Sequence, residues 1–92
     1  MEFEWDSSKA ASNLRKHGVS FEEAQTVFAN SLAVIFEDEA HSVNEQREII
    51  IGHSQRNRLL LVAFTERPGR VRIISARLAT RPEREDYERN AL

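Results

Sequence analysis

The 92-residue sequence has no cysteine, only three glycines and no long hydrophobic run. The absence of cysteine excludes disulfides and cysteine-ligated zinc sites. Neither a G-x-x-x-x-G-K-[ST] phosphate loop nor the G-x-S-x-G turn of serine hydrolases is present. No apolar run approaches the ~20 residues of a membrane span, and residues 1–4 are unlike a signal peptide. We therefore expect a soluble, cytoplasmic protein that makes no contact with a membrane.

Lysine is also scarce, because the chain has two lysines and eleven arginines. Residues 1–46 hold three basic and nine acidic side chains, whereas residues 47–92 hold ten basic and six acidic ones. All ten of the basic residues in the second half are arginines, whose planar guanidinium group binds phosphate through two parallel hydrogen bonds. The uneven distribution of charge favours an anionic partner that binds one surface. The alternative is that the arginines lie on strand faces exposed to solvent and bind no partner.

Length and composition predict a single domain over residues 1–92. A chain of this size forms one small core, and 40% hydrophobic with 30% charged residues is the balance of a globular protein. No linker, internal repeat or low-complexity segment interrupts the sequence. One compact unit is therefore expected to carry any functional site.

The first half of the chain predicts a strand followed by two helices. Residues 3–5 form the short strand, and a helix over Ser7–His17 follows, with Asp6 as its N-cap and Gly18 just past its end. Residues 20–23 are a capping box, in which the serine and glutamate side chains each bind the other residue's backbone N–H, and it starts the second helix. The single glycine step between the helices predicts a tight corner.

The second half predicts four strands and a last helix. The strands are the apolar, β-branched-rich residues 32–37, 47–53, 59–65 and 71–76. Their short connections predict an antiparallel meander. Residues 80–83 form a second capping box, which opens a helix that ends near Asn90. The order β-α-α-β-β-β-β-α predicts an α+β fold, an antiparallel sheet with helices packed on it.

Arginines cluster around the last two strands and the start of the last helix, and we predict that they bind the phosphates of RNA. Arg77 directly follows a strand, and Arg81 lies in the first helical turn, where free N–H groups also attract phosphate. Pairing of Arg72 with a carboxylate on a neighbouring strand, and of Arg84 with its own helix, are the alternatives. The cluster comprises Arg67, Arg70, Arg72, Arg77, Arg81 and Arg84.

RNA cleavage without a metal ion needs a base for the 2′-hydroxyl, a group that stabilises charge on the phosphate, and an acid for the leaving oxygen. His41 is the favoured base because it lies in a predicted polar loop, with Glu45 and Glu66 as alternatives. Tyr87 is either the acid or a core contact. His17 is expected to cap carbonyl groups at the end of its helix.

No metal or cofactor is predicted. Asp38, His41 and His53 lack a regular spacing of metal ligands, and surface polar residues are the better interpretation of the first two. His53 follows a run of three isoleucines and is expected to be structural.

Short motifs follow one another in a fixed order along nearly the whole chain. They are Phe3-Glu4-Trp5-Asp6, Lys9-Ala10, Asn13-Leu14-Arg15-Lys16-His17-Gly18-Val19-Ser20-Phe21-Glu22-Glu23-Ala24, Val27-Phe28, His41-Ser42, Arg47, Ile51-Gly52-His53-Ser54, Arg58-Leu59-Leu60, Thr65-Glu66-Arg67, Arg72-Ile73-Ile74-Ser75-Ala76-Arg77, Ala79-Thr80, Glu83-Arg84 and Tyr87-Glu88. Each motif alone is weak, but the ordered set resembles the BrnT toxin family.

The resemblance implies a RelE-like fold and a metal-independent ribonuclease toxin of a type II toxin–antitoxin system, which inhibits translation. It also implies a DNA-binding antitoxin, BrnA, that neutralises the toxin in a hetero-oligomer and represses their operon with it. Carried onto this chain, it implies phosphate binding by Arg67, Arg77 and Arg81, and proton transfer by His41 with Glu45 or Glu66. A non-catalytic module that binds nucleic acid or antitoxin, with a decayed active site, is the alternative.

Overall fold

The computed structural model describes residues 1–39 and 46–91, and its helices and strands follow the predicted order. The elements are β1 (Glu2–Glu4), α1 (Ser7–His17), α2 (Phe21–Thr26), a short 3₁₀ turn (Val27–Ala29), β2 (Val34–Glu37), β3 (Glu48–His53), β4 (Leu59–Arg67), β5 (Arg70–Leu78) and α3 (Arg81–Ala91). The predicted α+β fold class is confirmed. None of the described helices is long and apolar enough to cross a membrane.

The strands form one sheet in the order β1-β5-β4-β3-β2. Strands β2 to β5 make the predicted antiparallel meander, and β1 pairs with β5 in the parallel direction, so the sheet is mixed. Nothing in the sequence indicates the parallel pair, because a strand of three residues has no local feature that determines its direction. This arrangement places β1 and β2 at the two edges and β4 at the centre.

Helices α1 and α2 cover one face of the sheet, here called the helix-covered face. Phe28 joins the layers there, with its ring centroid 5.1 Å from Phe3 and 5.0 Å from Phe64 in edge-to-face contacts. Such aromatic pairs add stability beyond the burial of apolar area. The buried core on this side consists of Val19, Phe21, Ala24, Val27, Ile50, Leu60, Val62, Phe64, Val71, Ile73 and Ala76.

Helix α3 covers part of the opposite face, here called the open face. The Tyr87 ring packs with Leu59, Leu61 and Ile51, and its hydroxyl donates a hydrogen bond to Leu32 O at 2.8 Å. Tyr87 is therefore a core contact, which leaves no role for it as a catalytic acid. Beyond α3 the open face is uncovered by the described helices.

The predicted helix ends are seen in the structure. Asp6 Oδ1 accepts a hydrogen bond from Lys9 N at 3.0 Å, and Gly18 ends α1 in the left-handed conformation with φ +68°. The capping box of α3 is complete, because Thr80 N donates to Glu83 Oε1 at 2.8 Å and Glu83 N donates to Thr80 Oγ1 at 3.3 Å. These caps fix where α1 and α3 meet the sheet.

The first capping box is only half formed. Ser20 Oγ accepts from Glu23 N at 3.0 Å as predicted, but the Glu23 carboxylate accepts from Ser54 Oγ at 2.7 Å and Arg58 Nε at 2.9 Å. A charge-assisted hydrogen bond to a guanidinium is stronger than one to a backbone N–H, so the Glu23 carboxylate binds Arg58 and not the backbone N–H of Ser20. The hydrogen bond from Arg58 lowers the pKa of Glu23, although burial acts to raise it. This pair clamps α2 to the turn between β3 and β4.

Candidate active site

A β-bulge decides which arginines share a face of the sheet. The register of β4 with β5 shifts between Ala63 and Phe64, so Ile74 is an extra residue on β5. Side chains alternate along a strand, so Arg72 and Arg77, five residues apart, would lie on opposite faces of a regular strand. The bulge reverses the alternation and brings both arginines to the open face.

Asn13 on α1 holds β5 beside the bulge. Its Oδ1 accepts from Ala76 N at 3.1 Å, and its Nδ2 donates to Ala76 O at 2.8 Å and to Val19 O at 3.0 Å. Since β1 pairs only with the first three residues of β5, this buried amide satisfies backbone groups that have no neighbouring strand. Asn13 therefore fixes the end of α1 against the residue that precedes Arg77.

A depression of about 210 Å³ lies on the open face where α1 ends. Its polar side chains come from three separate parts of the sequence: His17 from the end of α1, Asp38 from the residue after β2, and Arg77 with Ser75 from β5. The volume is below the range of pockets for drug-sized ligands, and it suits a phosphate with its neighbouring groups. The rest of the lining is Ile49, Leu61, Ala63 and Ala76.

Arg77 at the depression is held by a carboxylate from α3. Its two terminal nitrogens donate to the two oxygens of Glu83 at 2.7 and 2.8 Å. These bonds from Arg77 lower the pKa of Glu83 to about 2, burial opposes the shift, and the Thr80 bonds reinforce it. The same contact raises the pKa of Arg77. Both side chains still reach solvent, so a phosphate can approach the guanidinium.

Two more arginines lie on the open face at the far end of β5. Arg70 Nε is 3.0 Å from Glu4 Oε1, and Arg72 Nη1 donates to Glu4 Oε2 at 2.8 Å. The hydrogen bond from Arg72 lowers the pKa of Glu4. The alternative of a cross-strand pair for Arg72 is thus what the structure shows, and the two arginines outnumber their shared carboxylate.

The structure does not bring Arg67 and Glu66 to Arg77. Arg67 pairs with Arg70 at the turn between β4 and β5, whereas Arg77 pairs with Leu61 six residues earlier on β4. The separation along the strand is about 20 Å. By alternation Glu66 points to the helix-covered face, so it cannot act as a base at the depression.

Arg81 and Arg84 are not among the described residues that line the depression either. Arg81 is exposed and its Nε donates to Glu85 Oε1 at 3.0 Å on its own helix. Arg84 is exposed, and the described lining of the depression includes neither arginine. His41 and Glu45 lie outside the described residues.

From the sequence, His17 is predicted to cap carbonyl groups and Asp38 to be a surface residue, and no role is predicted for Asn13. The signal for the bulge was present: Ile73 and Ile74 are adjacent apolar residues that break the alternation of β5. A polar Asn13 on the apolar side of α1 was a second signal. Nothing local to the sequence brings Asp38 and Arg77 to the same depression, because their meeting there depends on the pairing of the strands between them.

A larger hollow of about 600 Å³ lies elsewhere, lined in part by Met1, Phe28, Asn30 and His53. Among the described residues that line it, His53 supplies the one imidazole, whose ring centroid lies 5.9 Å from that of Tyr87, and none is an arginine, lysine or carboxylate. The smaller depression therefore has the chemistry suited to an anionic substrate. Among the residues that the structure describes, no group of three His, Asp or Glu side chains is placed to hold a metal ion.

Comparisons with known proteins agree with this fold and function. The crystal structure of the Brucella abortus ribonuclease toxin BrnT superposes with a TM-score of 0.68 at 24% identity, covering 88% of this chain and 99% of that chain, which shows a shared fold. No curated protein matches the sequence. The family model described as "Ribonuclease toxin, BrnT, of type II toxin-antitoxin system" matches residues 5–83. The chain therefore belongs to the BrnT family of ribonuclease toxins, which implies a cognate antitoxin as its partner.

Proposed function

We propose that this chain is a metal-independent endoribonuclease that cleaves RNA in the depression on the open face. The observation that carries the proposal is the meeting of His17, Asp38 and Arg77 in one hollow, although they lie far apart in sequence. A cation for the phosphate and a side chain that can transfer protons are two of the three things that the reaction needs.

Each group has a step in the proposed reaction. Arg77 binds the scissile phosphate and stabilises the negative charge that builds up on its oxygens. His17 removes the proton of the 2′-hydroxyl, the 2′-oxygen forms a bond to phosphorus, and the bond from phosphorus to the 5′-oxygen breaks. The leaving oxygen takes up a proton from water, so the products are a 2′,3′-cyclic phosphate and a 5′-hydroxyl. Asp38 orients the base, while proton transfer by His41 and Glu45 stays a prediction.

Arg70 and Arg72 extend the proposed site along the open face. Measured along the paired strand β4, Arg72 lies roughly 13 Å and Arg70 roughly 20 Å from Arg77, on the same face because of the bulge. We assign them to the phosphates that flank the cleaved bond, where arginine supplies affinity without reading the sequence. Arg67, Arg81 and Arg84 are exposed at the two ends of this face and add to its attraction for RNA.

The partner and setting of the proposal follow from the family. The whole of residues 1–92 acts as one toxin domain in the cytoplasm, where RNA cleavage inhibits translation. A BrnA-type antitoxin that binds DNA neutralises the chain in a hetero-oligomer, and the complex represses its operon. The same family membership would fit a non-catalytic module, and the cleavage assay separates the two.

The test is cleavage of RNA by the purified chain in the presence of EDTA. We expect products with 2′,3′-cyclic phosphate ends, and no cleavage of an oligonucleotide with 2′-deoxyriboses. Arg77→Ala should lower the rate by about 10²-fold or more, as loss of a donor to a developing oxyanion does. Arg81→Ala makes the same change of charge outside the depression and should stay within about threefold.

Two outcomes contradict this proposal. If the wild-type chain binds RNA but leaves it intact, the non-catalytic module is the correct function. If Arg77→Ala cleaves as fast as Arg81→Ala, the active site lies elsewhere.

A further inference from the structure

The edge strand β2 exposes three consecutive large apolar side chains. Val34, Ile35 and Phe36 are between 42 and 51% exposed, and β2 is the last strand of the sheet on its side. Edge strands usually carry charges, proline or a bulge, because their free backbone groups and apolar side chains pair with other chains. Residues 34–36 have none of these protections, so this edge is suited to pairing with a strand of another chain.

A groove of about 240 Å³ continues from this edge across the open face. Val34 and Phe36 form one side of it, and Tyr87 on α3 forms part of the other. The α3 residues that line the groove recur at the spacing of one helical face. They are Glu83, Asp86, Tyr87 and Asn90, and the floor is Ile51 and Leu61.

The polar rim of the groove is acidic. Glu83 and Asp86 line it, and no lysine or arginine is among its described lining residues. The Asp86 carboxylate has two weak contacts on its own helix, with Arg89 Nη2 at 3.6 Å and with Asn90 Nδ2, which donates to Oδ1 at 3.3 Å. An apolar groove with this rim complements a segment that alternates apolar and basic residues.

We propose that β2 and the α3 groove bind an extended segment of the cognate antitoxin, one that is apolar on alternate residues and carries Lys or Arg. The segment adds a strand beside β2, so that one set of its side chains enters the groove and the other covers Ile35. Charge favours this partner over a second copy of the chain, because two copies would bring the acidic rims together. Membership of a type II toxin–antitoxin family supplies the partner protein.

The binding site adjoins the candidate active site. Leu61 lines both the groove and the depression, and Glu83 lines the groove while it holds Arg77. A segment in the groove therefore reaches the groups that position Arg77 and blocks the approach of RNA. This inhibitory consequence rests on the proposed ribonuclease function, whereas the binding itself does not.

The experiment measures binding of the polypeptide encoded immediately beside the gene of this chain, by calorimetry. Phe36→Lys removes an apolar anchor and repels a basic segment, and it should weaken binding about 30-fold or more. Asp86→Lys should weaken it about fivefold at low salt, with a smaller effect at high salt. Leu14→Lys and Glu88→Lys make matched changes at exposed positions outside the groove, and each should stay within about twofold.

Hydrogen exchange of the same complex gives an independent result. Slower exchange in residues 34–37 on binding supports the added strand. Equal affinity of all four variants, or slower exchange only elsewhere, overturns the inference. So does a wild-type chain that is dimeric alone and becomes monomeric with Phe36→Lys, because β2 then serves a second copy. Binding lost as expected in a chain that does not cleave RNA supports this inference and contradicts the proposed function.

Discussion

Among the described residues, two arginine–carboxylate pairs are joined by two parallel hydrogen bonds, Arg58 with Glu23 and Arg77 with Glu83, and the two pairs lie in different surroundings. The Glu23 side chain is 5% exposed and its partner Arg58 27%, whereas Glu83 is 31% and Arg77 41% exposed. The first carboxylate also binds Ser54, and its arginine also binds Gly18 O, so both partners are held by further contacts. The second pair lies at the edge of a depression that suits an anion.

The difference in surroundings separates a structural pair from a functional one. In the buried pair, loss of one partner leaves a charge without its counterion, so the pair acts on stability. In the half-exposed pair, water reaches the guanidinium, and a phosphate can replace the carboxylate at little cost in solvation. Arg77 therefore suits substrate binding, and Arg58 suits the joining of α2 to the sheet.

The largest expected effect is the loss of stability in Glu23→Gln, which breaks the buried pair. The change removes the charge opposite Arg58, and we expect unfolding in urea to show a loss of about 2 kcal/mol, below the full cost for a buried pair because Arg58 reaches solvent. Glu22→Gln on the same helix is exposed and should lose no more than about 0.5 kcal/mol. Equal losses of unfolding free energy in the two variants would show that the buried pair does not stabilise the fold.

Glu83→Gln is expected to change the affinity for RNA. Without the carboxylate charge the Arg77 guanidinium is available to phosphate, and the affinity for an uncleavable RNA should rise about fivefold. Glu85→Gln gives the same change of net charge on the same helix, and its affinity should rise less than twofold. Weaker binding by Glu83→Gln than by Glu85→Gln would mean that the carboxylate itself positions Arg77 for RNA.

A smaller effect is expected at acidic pH, where the contribution of Glu83 to the free energy of unfolding is lost. The pKa of Glu83 is about 2 in the folded chain, below the value of about 4.3 for a glutamate in an unfolded chain. The contribution of this group to stability is therefore present above about pH 4.3 and is lost as the pH falls towards 2. The difference in unfolding free energy between wild type and Glu83→Gln should shrink over that range by about 0.5 kcal/mol, as measured by urea titrations. A constant difference would contradict the pairing.

The sequence predicted the elements well because their signals are local. The caps at Asp6, Gly18 and Thr80, and the four apolar runs, mark helix ends and strands without knowledge of the fold. The candidate site was harder, since Arg67 and Arg77 look alike in sequence and only the β4–β5 register shows that they lie at opposite ends of the hairpin.

The roles of His17 and Asp38 had no local signal. His17 lies in a predicted position, the end of α1, but its place at the depression depends on how Asn13 holds α1 against β5. Asp38 reaches the same hollow only through the pairing of β2 with β3. The direction of β1 likewise depends on long-range packing, which no three-residue segment encodes.

The most direct test of the central claim follows the guanidinium groups themselves. The ¹⁵N resonances of Arg77 and Arg58, assigned with Arg→Lys variants, are recorded while an RNA oligonucleotide with 2′-fluoro riboses is added, since it lacks the attacking hydroxyl. The Arg77 signal should move in proportion to the RNA bound while the Arg58 signal stays in place. Movement of Arg58 with a stationary Arg77 would contradict the assignment of the half-exposed pair to RNA.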